Sequence, residues 1–235
     1  MYSFDSRIRY SEIDKTGKLS LTSMINYFQD CSNFQSVDLG LGYEVLKERG
    51  KGWVLSSWHI EIYNTPKLCE TVTIGTFASG FKGFYGNRNF MMLDEKGDYL
   101  ACADSLWVLV DTKIGRPIKP TPEDIQLYEL GKPLDLETEG RKINPIEGGT
   151  MFPSFKIQKH HLDTHEHVNN SQYIQMAMEV IPEDIEIKKL RVEYKKSALY
   201  GDTVIPKMGS DGNRTVVELC DEEGQPYALV EVKGY

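Results

Sequence analysis

The stretch Lys159 to Glu179, KHHLDTHEHVNNSQYIQMAME, holds four of the chain's five histidines and is the segment from which the fold can be read. Its second half has helical spacing: Ile174, Ala177, Met178 and Ile181 recur at i, i+3, i+4 and i+7, Asn169 or Asn170 offers an N-cap, and Pro182 stops the helix. Asp163, His165 and His167 lie just upstream, where free backbone N–H groups and the positive end of the helix dipole favour developing negative charge. A carboxylate and imidazoles beside such a helix start suit acyl transfer or hydrolysis.

The same helix start occurs earlier in the chain. At an offset of 149 residues, Ile13-Asp14 falls on Leu162-Asp163, Ser20 on Asn169, Ile25 on Ile174 and Asp30 on Glu179. Ser20 is a good N-cap, and Met24, Phe28, Cys31 and Gln35 share a face, so a helix is expected from about Leu21 to Ser36. From Trp53 to Val110 the texture turns β-rich, and Asp94-Glu95-Lys96-Gly97 joins two strands at hairpin distance. At an offset of 132, Glu70-Thr71-Val72 falls on Asp202-Thr203-Val204; at 127, Asp94, Gly97 and Ala101 fall on Asp221, Gly224 and Ala228. Cap, helix face and hairpin turn thus agree in order, which is the mark of a duplicated helix-plus-antiparallel-sheet unit. The offsets differ by about 17 residues, an insertion expected in the first copy across Leu39 to Gly52, read as loop with a short helix.

Residues 1–125 are therefore expected to form one repeat and 151–235 the other. Arg116 to Gly149 holds five of the ten prolines, several glycines and many charges, and its later part, 126–150, is expected to be the linker between them. The copies differ where the chemistry lies: Thr16 and Lys18 stand opposite His165 and His167, while Asp14 matches Asp163. A duplicated scaffold with imidazoles in one copy only should carry a single active site.

Whole-chain properties bound the function. With 40% hydrophobic and 26% charged residues in 235, the composition is globular. No apolar run approaches the roughly 20 residues needed to span a bilayer, and Met1 runs into YSFDSRIRY without a leader pattern, so a cytoplasmic protein without membrane insertion is expected. The net charge of −8 disfavours nucleic-acid binding, which needs a basic surface. Cys31, Cys69, Cys102 and Cys220 are scattered singly and are expected to be buried reduced thiols. The histidine cluster fits no zinc spacing, so no metal is expected.

The pattern Asp163-x-His165-x-His167-Val168-Asn169-Asn170-x-x-Tyr173 resembles the D-x-N-x-H-V-N-N-x-x-Y signature of plant and bacterial acyl-acyl carrier protein (acyl-ACP) thioesterases. Glu193-Tyr194-Lys195-Lys196 with Gly201-Asp202, and in the first copy RYSEIDKTGKLSLTSMINYFQDCSN and DSLWVLVDTKIGRP, are similar to the same family, so the resemblance covers nearly the whole chain. It implies an α+β double hotdog, in which each helix is wrapped by a curved antiparallel sheet. It also implies hydrolysis of fatty acyl-ACP thioesters to free fatty acid and carrier protein, ending fatty acid synthesis, with no metal or organic cofactor. The acyl tail would lodge in the first repeat, and the acyl carrier protein would be the partner. The chain departs from the pattern twice: His165 stands at the family's Asn, and the catalytic Glu of a Y-R-R-E-C type segment falls on Ser197. Glu193 is a poor substitute, because four residues along a strand is about 13 Å.

Thioester hydrolysis needs an activated water or carboxylate nucleophile and donors for the carbonyl oxyanion. Asp163 is the expected base or nucleophile, and His167 would orient substrate or shuttle a proton. His165 would donate a hydrogen bond and add pH dependence, and backbone N–H groups at the helix start would hold the oxyanion. Lys188, Lys189, Arg191, Lys195 and Lys196 form a basic cluster suited to an acidic carrier, or a solvated strand face. An acyl-coenzyme A thioesterase, a hydratase or dehydratase on the same scaffold, and a non-catalytic acyl-thioester binder stay open, as does a homodimer.

Overall fold

The computed structural model describes residues 1–234. The chain packs into two units, Met1–Ser56 with Tyr63–Thr138, and Ser57–Ile62 with Glu139–Tyr235. The division falls inside the 126–150 stretch, and it places six residues of a strand from the first half of the sequence in the second unit.

In unit 1 the chain runs through β1 (Tyr2–Arg7), α1 (Leu21–Asp38), α2 (Tyr43–Glu48) and β2 (Lys51–Ile62), whose last six residues belong to unit 2. β3 (Thr71–Lys82), β4 (Tyr85–Leu93), β5 (Tyr99–Asp111), the short β6 (Arg116–Pro117) and α3 (Pro122–Ile125) follow. The sheet is antiparallel in the order β1-β3-β4-β5, with β6 on β5. Ser20 caps α1, its Oγ accepting the Ser23 N–H at 3.2 Å. The helix buries Met24, Ile25, Phe28 and Cys31 on the sheet, with Phe28 and Phe90 ring centroids 5.4 Å apart. At the far end of that interface Arg88, buried, donates to Gln35 Oε1 and to Thr76 Oγ1 at 3.1 Å and lies over the Tyr128 ring. Burial lowers its pKa.

In unit 2, β7 (Thr150–Met151), β8 (Phe155–Lys156), α4 (Asn170–Met178), β9 (Ile187–Tyr194), β10 (Thr203–Asp211), β11 (Arg214–Cys220) and β12 (Pro226–Gly234) follow in order. Ser57–Ile62, β9, β12, β11 and β10 form its antiparallel sheet, with β7 and β8 on β10. Helix α4 buries Tyr173, Ile174, Met176 and Ala177. Each unit is thus a helix wrapped by an antiparallel sheet, a hotdog.

The expected correspondences hold in detail. Ser20 and Asn169 are both N-caps, Thr71 and Thr203 both open strands, and Gly97 and Gly224 sit at φ +86° and +77° in equivalent hairpin turns. The insertion lies partly elsewhere than expected: α1 has 18 residues and α4 nine, so it begins inside the helix as Asp30–Asp38 and continues through α2.

The stretch 126–150 does more than connect. Its first part covers the outer face of the unit 1 sheet, where Leu134 and Leu136 pack on Phe77, Met91 and Cys102, and the Leu134 N–H donates to Asn89 Oδ1 at 3.1 Å. Gly131 is required there, because a Cβ would come 2.3 Å from the Phe77 ring. Its second part covers the outer face of unit 2. Ile143 and Ile146 pack on Val216 and Leu229, and Arg191 donates to Gly140 O and Lys142 O at 2.9 and 3.1 Å. Both sheets are therefore covered on two faces over part of their length, which explains why Arg88–Met92 on β4, Leu190–Glu193 on β9 and Tyr227–Val232 on β12 are buried at consecutive positions without alternation.

Candidate active site

The segment before α4 is a tight loop closed by the Leu162–Val168 bridge. Asp163 organises it. Its N–H donates to His167 O at 2.8 Å, and its Oδ1 accepts the N–H groups of His165 and His167 at 2.8 and 3.4 Å. The loop before α1 is closed in the same way, by the Ile13–Leu19 bridge and by Asp14 Oδ1, which accepts the Thr16 and Lys18 N–H groups at 2.7 and 3.4 Å. Partial burial opposes ionisation of Asp14, yet the Thr16 hydrogen bonds and the nearby Lys18 charge outweigh it and hold the carboxyl below its ordinary value. Turn-making is thus common to both aspartates. What unit 2 adds is chemistry around the turn.

The structure brings Asp163, His165 and His167 together in this one loop, with both histidines exposed and Asp163 half-buried. The loop is braced against the segment after β9. The Val168 N–H donates to Ala198 O at 3.1 Å, His167 bridges Leu199, and the Ala198 N–H donates to the Tyr173 hydroxyl at 2.8 Å. The Tyr194 hydroxyl donates to Asn170 O at 3.0 Å, with the Tyr173 and Tyr194 rings edge to face at 5.9 Å. Burial raises both phenols, which stay neutral donors and acceptors. The motif's Tyr173 is therefore a brace. Asn169 caps α4, accepting the Ser171 N–H and hydroxyl at 3.0 and 3.1 Å. Ser197 lies exposed in the braced segment.

The other two histidines of the cluster precede the loop, where the His161 carbonyl accepts the Asn169 N–H at 2.9 Å. His161 Nδ1 accepts the Gln158 N–H at 3.0 Å as a turn cap, and its pKa is lowered by burial and then by His160. No group of three or more His, Cys, Asp or Glu side chains is arranged to hold a metal ion among the described residues. Glu193 is on the outer face, buried, where Oε2 accepts the Ile143 N–H at 2.9 Å and Oε1 the Lys195 ammonium at 2.6 Å. The basic cluster is neutralised in place: Lys188 pairs with Glu186, Lys189 with Glu61, Arg191 with Glu231, Lys195 with Glu193 and Lys196 with Asp221.

Backbone strain in the loop is invisible to motif reading. Glu166 sits at φ +60°, one of two non-glycine residues with positive φ among the described residues; its twin in the unit 1 loop, at the same offset of 149, is Gly17 at +78°. A side chain at positive φ costs on the order of 1 kcal/mol.

Two helix-wrapped sheets, with a histidine-bearing loop leading into the second helix, define a double-hotdog protein. The acyl-ACP thioesterase N-terminal domain model matches residues 1–128 and the C-terminal domain model residues 148–233. The chain belongs to the acyl-ACP thioesterase family. It is 25% identical over 240 residues to an oleoyl-acyl carrier protein thioesterase of Arabidopsis thaliana, covering 92% of this chain and 65% of that protein, just under two thirds of its length. Its structure is similar to an acyl-ACP thioesterase from Bacteroides thetaiotaomicron, with TM-score 0.91, 20% identity and coverage of 99% of this chain and 97% of that one. It is also similar to the 12:0-ACP thioesterase from Umbellularia californica, with TM-score 0.88, 18% identity and coverage of 100% and 96%. No helix among the described residues is long and apolar enough to cross a membrane.

Proposed function

We propose that this chain hydrolyses fatty acyl thioesters carried on acyl carrier protein, releasing free fatty acid and the carrier thiol. Membership of the family supports the reaction, and the observation that carries its location is the unit 2 loop, in which the turn shared with unit 1 bears two imidazoles that unit 1 lacks. Asp163 Oδ1 is committed to the turn, and Oδ2 accepts no hydrogen bond among the described residues. That oxygen is available as base or nucleophile. His167, held by the Leu199 bridge, orients the substrate or carries a proton to the leaving thiolate. His165 supplies a further donor, and the amino end of α4 stabilises the oxyanion through its dipole and N–H groups. The acyl tail is assigned to unit 1, and a cytoplasmic setting goes with this reading.

A second reading, a non-catalytic acyl-thioester binder, is favoured by Ser197 at the position of the family's glutamate. Incubating the purified protein with acyl-ACP while following free thiol separates the two. Steady thiol release that is lost in Asp163→Asn and His167→Ala supports hydrolysis at this loop. Tight acyl-ACP binding without release supports the binder.

A further inference from the structure

The fifth histidine stands outside the loop. His59 is on the last part of β2, which belongs to unit 2, and it lies directly opposite Arg191 in the antiparallel pairing of β2 with β9. Residues opposed in this way share a face, so the ring is on the outer face with Arg191, where residues 139–146 cover the sheet. It is only 7% exposed, and neither Nδ1 nor Nε2 has a hydrogen-bond partner among the described residues. Glu61 Oε1 is 3.8 Å from Nε2, too far for a hydrogen bond. An apolar ring would fill the place without burying two unsatisfied nitrogens, so packing alone gives no reason for a histidine. Its surroundings are charged instead. Glu61 on its own strand pairs with Lys189 of β9 at 3.0 Å, and Arg191 pairs with Glu139 of the covering segment at 3.2 Å and with Glu231 of β12 at 2.8 Å. Arg214 of β11 also holds Glu231, and Lys233 of β12 holds Glu139. Lys189, Arg191, Arg214 and Lys233 thus outnumber the carboxylates paired with them, Glu61, Glu139 and Glu231. The same cations clasp the covering segment: Arg191 through Gly140 O and Lys142 O, Arg214 through Asn144 O at 2.5 Å, and Arg191 and Lys233 through Glu139.

We propose that His59 is an acid-sensitive release for this segment: a proton on its ring sets one more cation against Arg191 and loosens residues 139–146 from the sheet. With the ring neutral, Glu139 and the carbonyls of the segment balance the guanidinium groups. With it charged, the excess of cations grows in a place closed to water. The direction follows from where the ring titrates. Burial, reinforced by Arg191 and Lys189 and opposed by Glu61 and Glu139, holds the pKa of the closed state below the ordinary 6.5. Released into water, the ring returns to about 6.5. Above that pH the two states bind the same number of protons and the segment stays closed. Below it the released state takes the proton first, and release grows by up to about tenfold per pH unit until the pKa of the closed state is passed. This role is independent of the chemistry assigned to the loop before α4.

The Ile143 N–H reports on closure, since it ties the segment to the sheet by donating to Glu193 Oε2 at 2.9 Å. Its hydrogen exchange, corrected for the intrinsic pH dependence of exchange, is followed from about pH 8 to about pH 5 in the unaltered chain, His59→Phe and His59→Gln. In the unaltered chain protection should be flat down to about pH 6.5 and fall about fivefold or more by about pH 5, while in both variants it should stay within about twofold throughout. An equal fall in a folded variant overturns the assignment, as does a flat profile in the unaltered chain. The ring resonances of His59 in the unaltered chain decide the matter if neither variant folds. A midpoint below about 6.5 that accompanies the loss of Ile143 protection is the expected result. An ordinary midpoint, or a titration that leaves Ile143 protected, overturns the role.

Discussion

The turns Asp14–Lys18 and Asp163–His167 are the same structure put to different use. Each is closed by an isolated bridge, each aspartate accepts the N–H groups two and four residues on, and each leads to a capped helix. In unit 1 the variable positions are Thr16, Gly17 and Lys18; in unit 2 they are His165, Glu166 and His167. The shared part explains the fold, and only the difference can explain an activity. The aspartate alone is therefore no signature of chemistry, because the same residue shapes a turn that has no imidazoles beside it.

The largest expected effects follow directly. Asp163→Asn and His167→Ala should each lower thiol release by about 100-fold or more, whereas Asp14→Asn and Lys18→Ala should leave it within a few-fold. Equal losses from the two turns would break the comparison.

A second pair of twins sits on the outer faces. Asp104 on β5 and Glu231 on β12 are related by the hairpin offset of 127 and pair across to Asn89 and Val216. Buried Glu231 is held by Arg191 at 2.8 Å and Arg214 at 2.5 Å, whereas Asp104 has, among the described residues, only the Asn89 amide, at 2.9 Å. Neutralising the two should have opposite effects. Glu231→Gln leaves buried guanidinium charge poorly compensated and should cost roughly 3 kcal/mol in urea unfolding. Burial, only partly offset by Asn89, pushes Asp104 up from 3.8 to about 6. Its neutral form is thus favoured in the folded state, and ionisation destabilises the fold as pH rises through about 6. Asp104→Asn should therefore stabilise by on the order of 1–3 kcal/mol above that pH, with the gain vanishing below about pH 4.

The duplication was legible because its markers are local: an N-cap, a helix face and Asp-to-Gly hairpin turns are each written in a few adjacent residues. The loop histidines were legible for the same reason. The covering role of residues 130–146 was not, because Leu134, Leu136, Ile143 and Ile146 are scattered among prolines and charges with no periodicity, and their partners lie on strands distant in sequence. The fate of the basic cluster was hidden too, since Glu61, Glu186, Glu231 and Asp221 reach it only through turns and strand pairing. Glu166 escaped notice because its peculiarity is a dihedral angle, visible only once Gly17 is set beside it.

The smallest expected effect concerns His165. Asn at this position keeps a side-chain hydrogen-bond donor, so His165→Asn should change the maximal rate of thiol release only a few-fold.

The most direct measurement replaces the two imidazoles of the unit 2 turn with the residues its twin carries there. Thiol release from acyl-ACP by the double variant His165→Thr, His167→Lys should fall to the uncatalysed background while thermal unfolding stays within a few degrees of the original chain. Release at the original rate by that folded variant would contradict the claim that the second loop carries the chemistry.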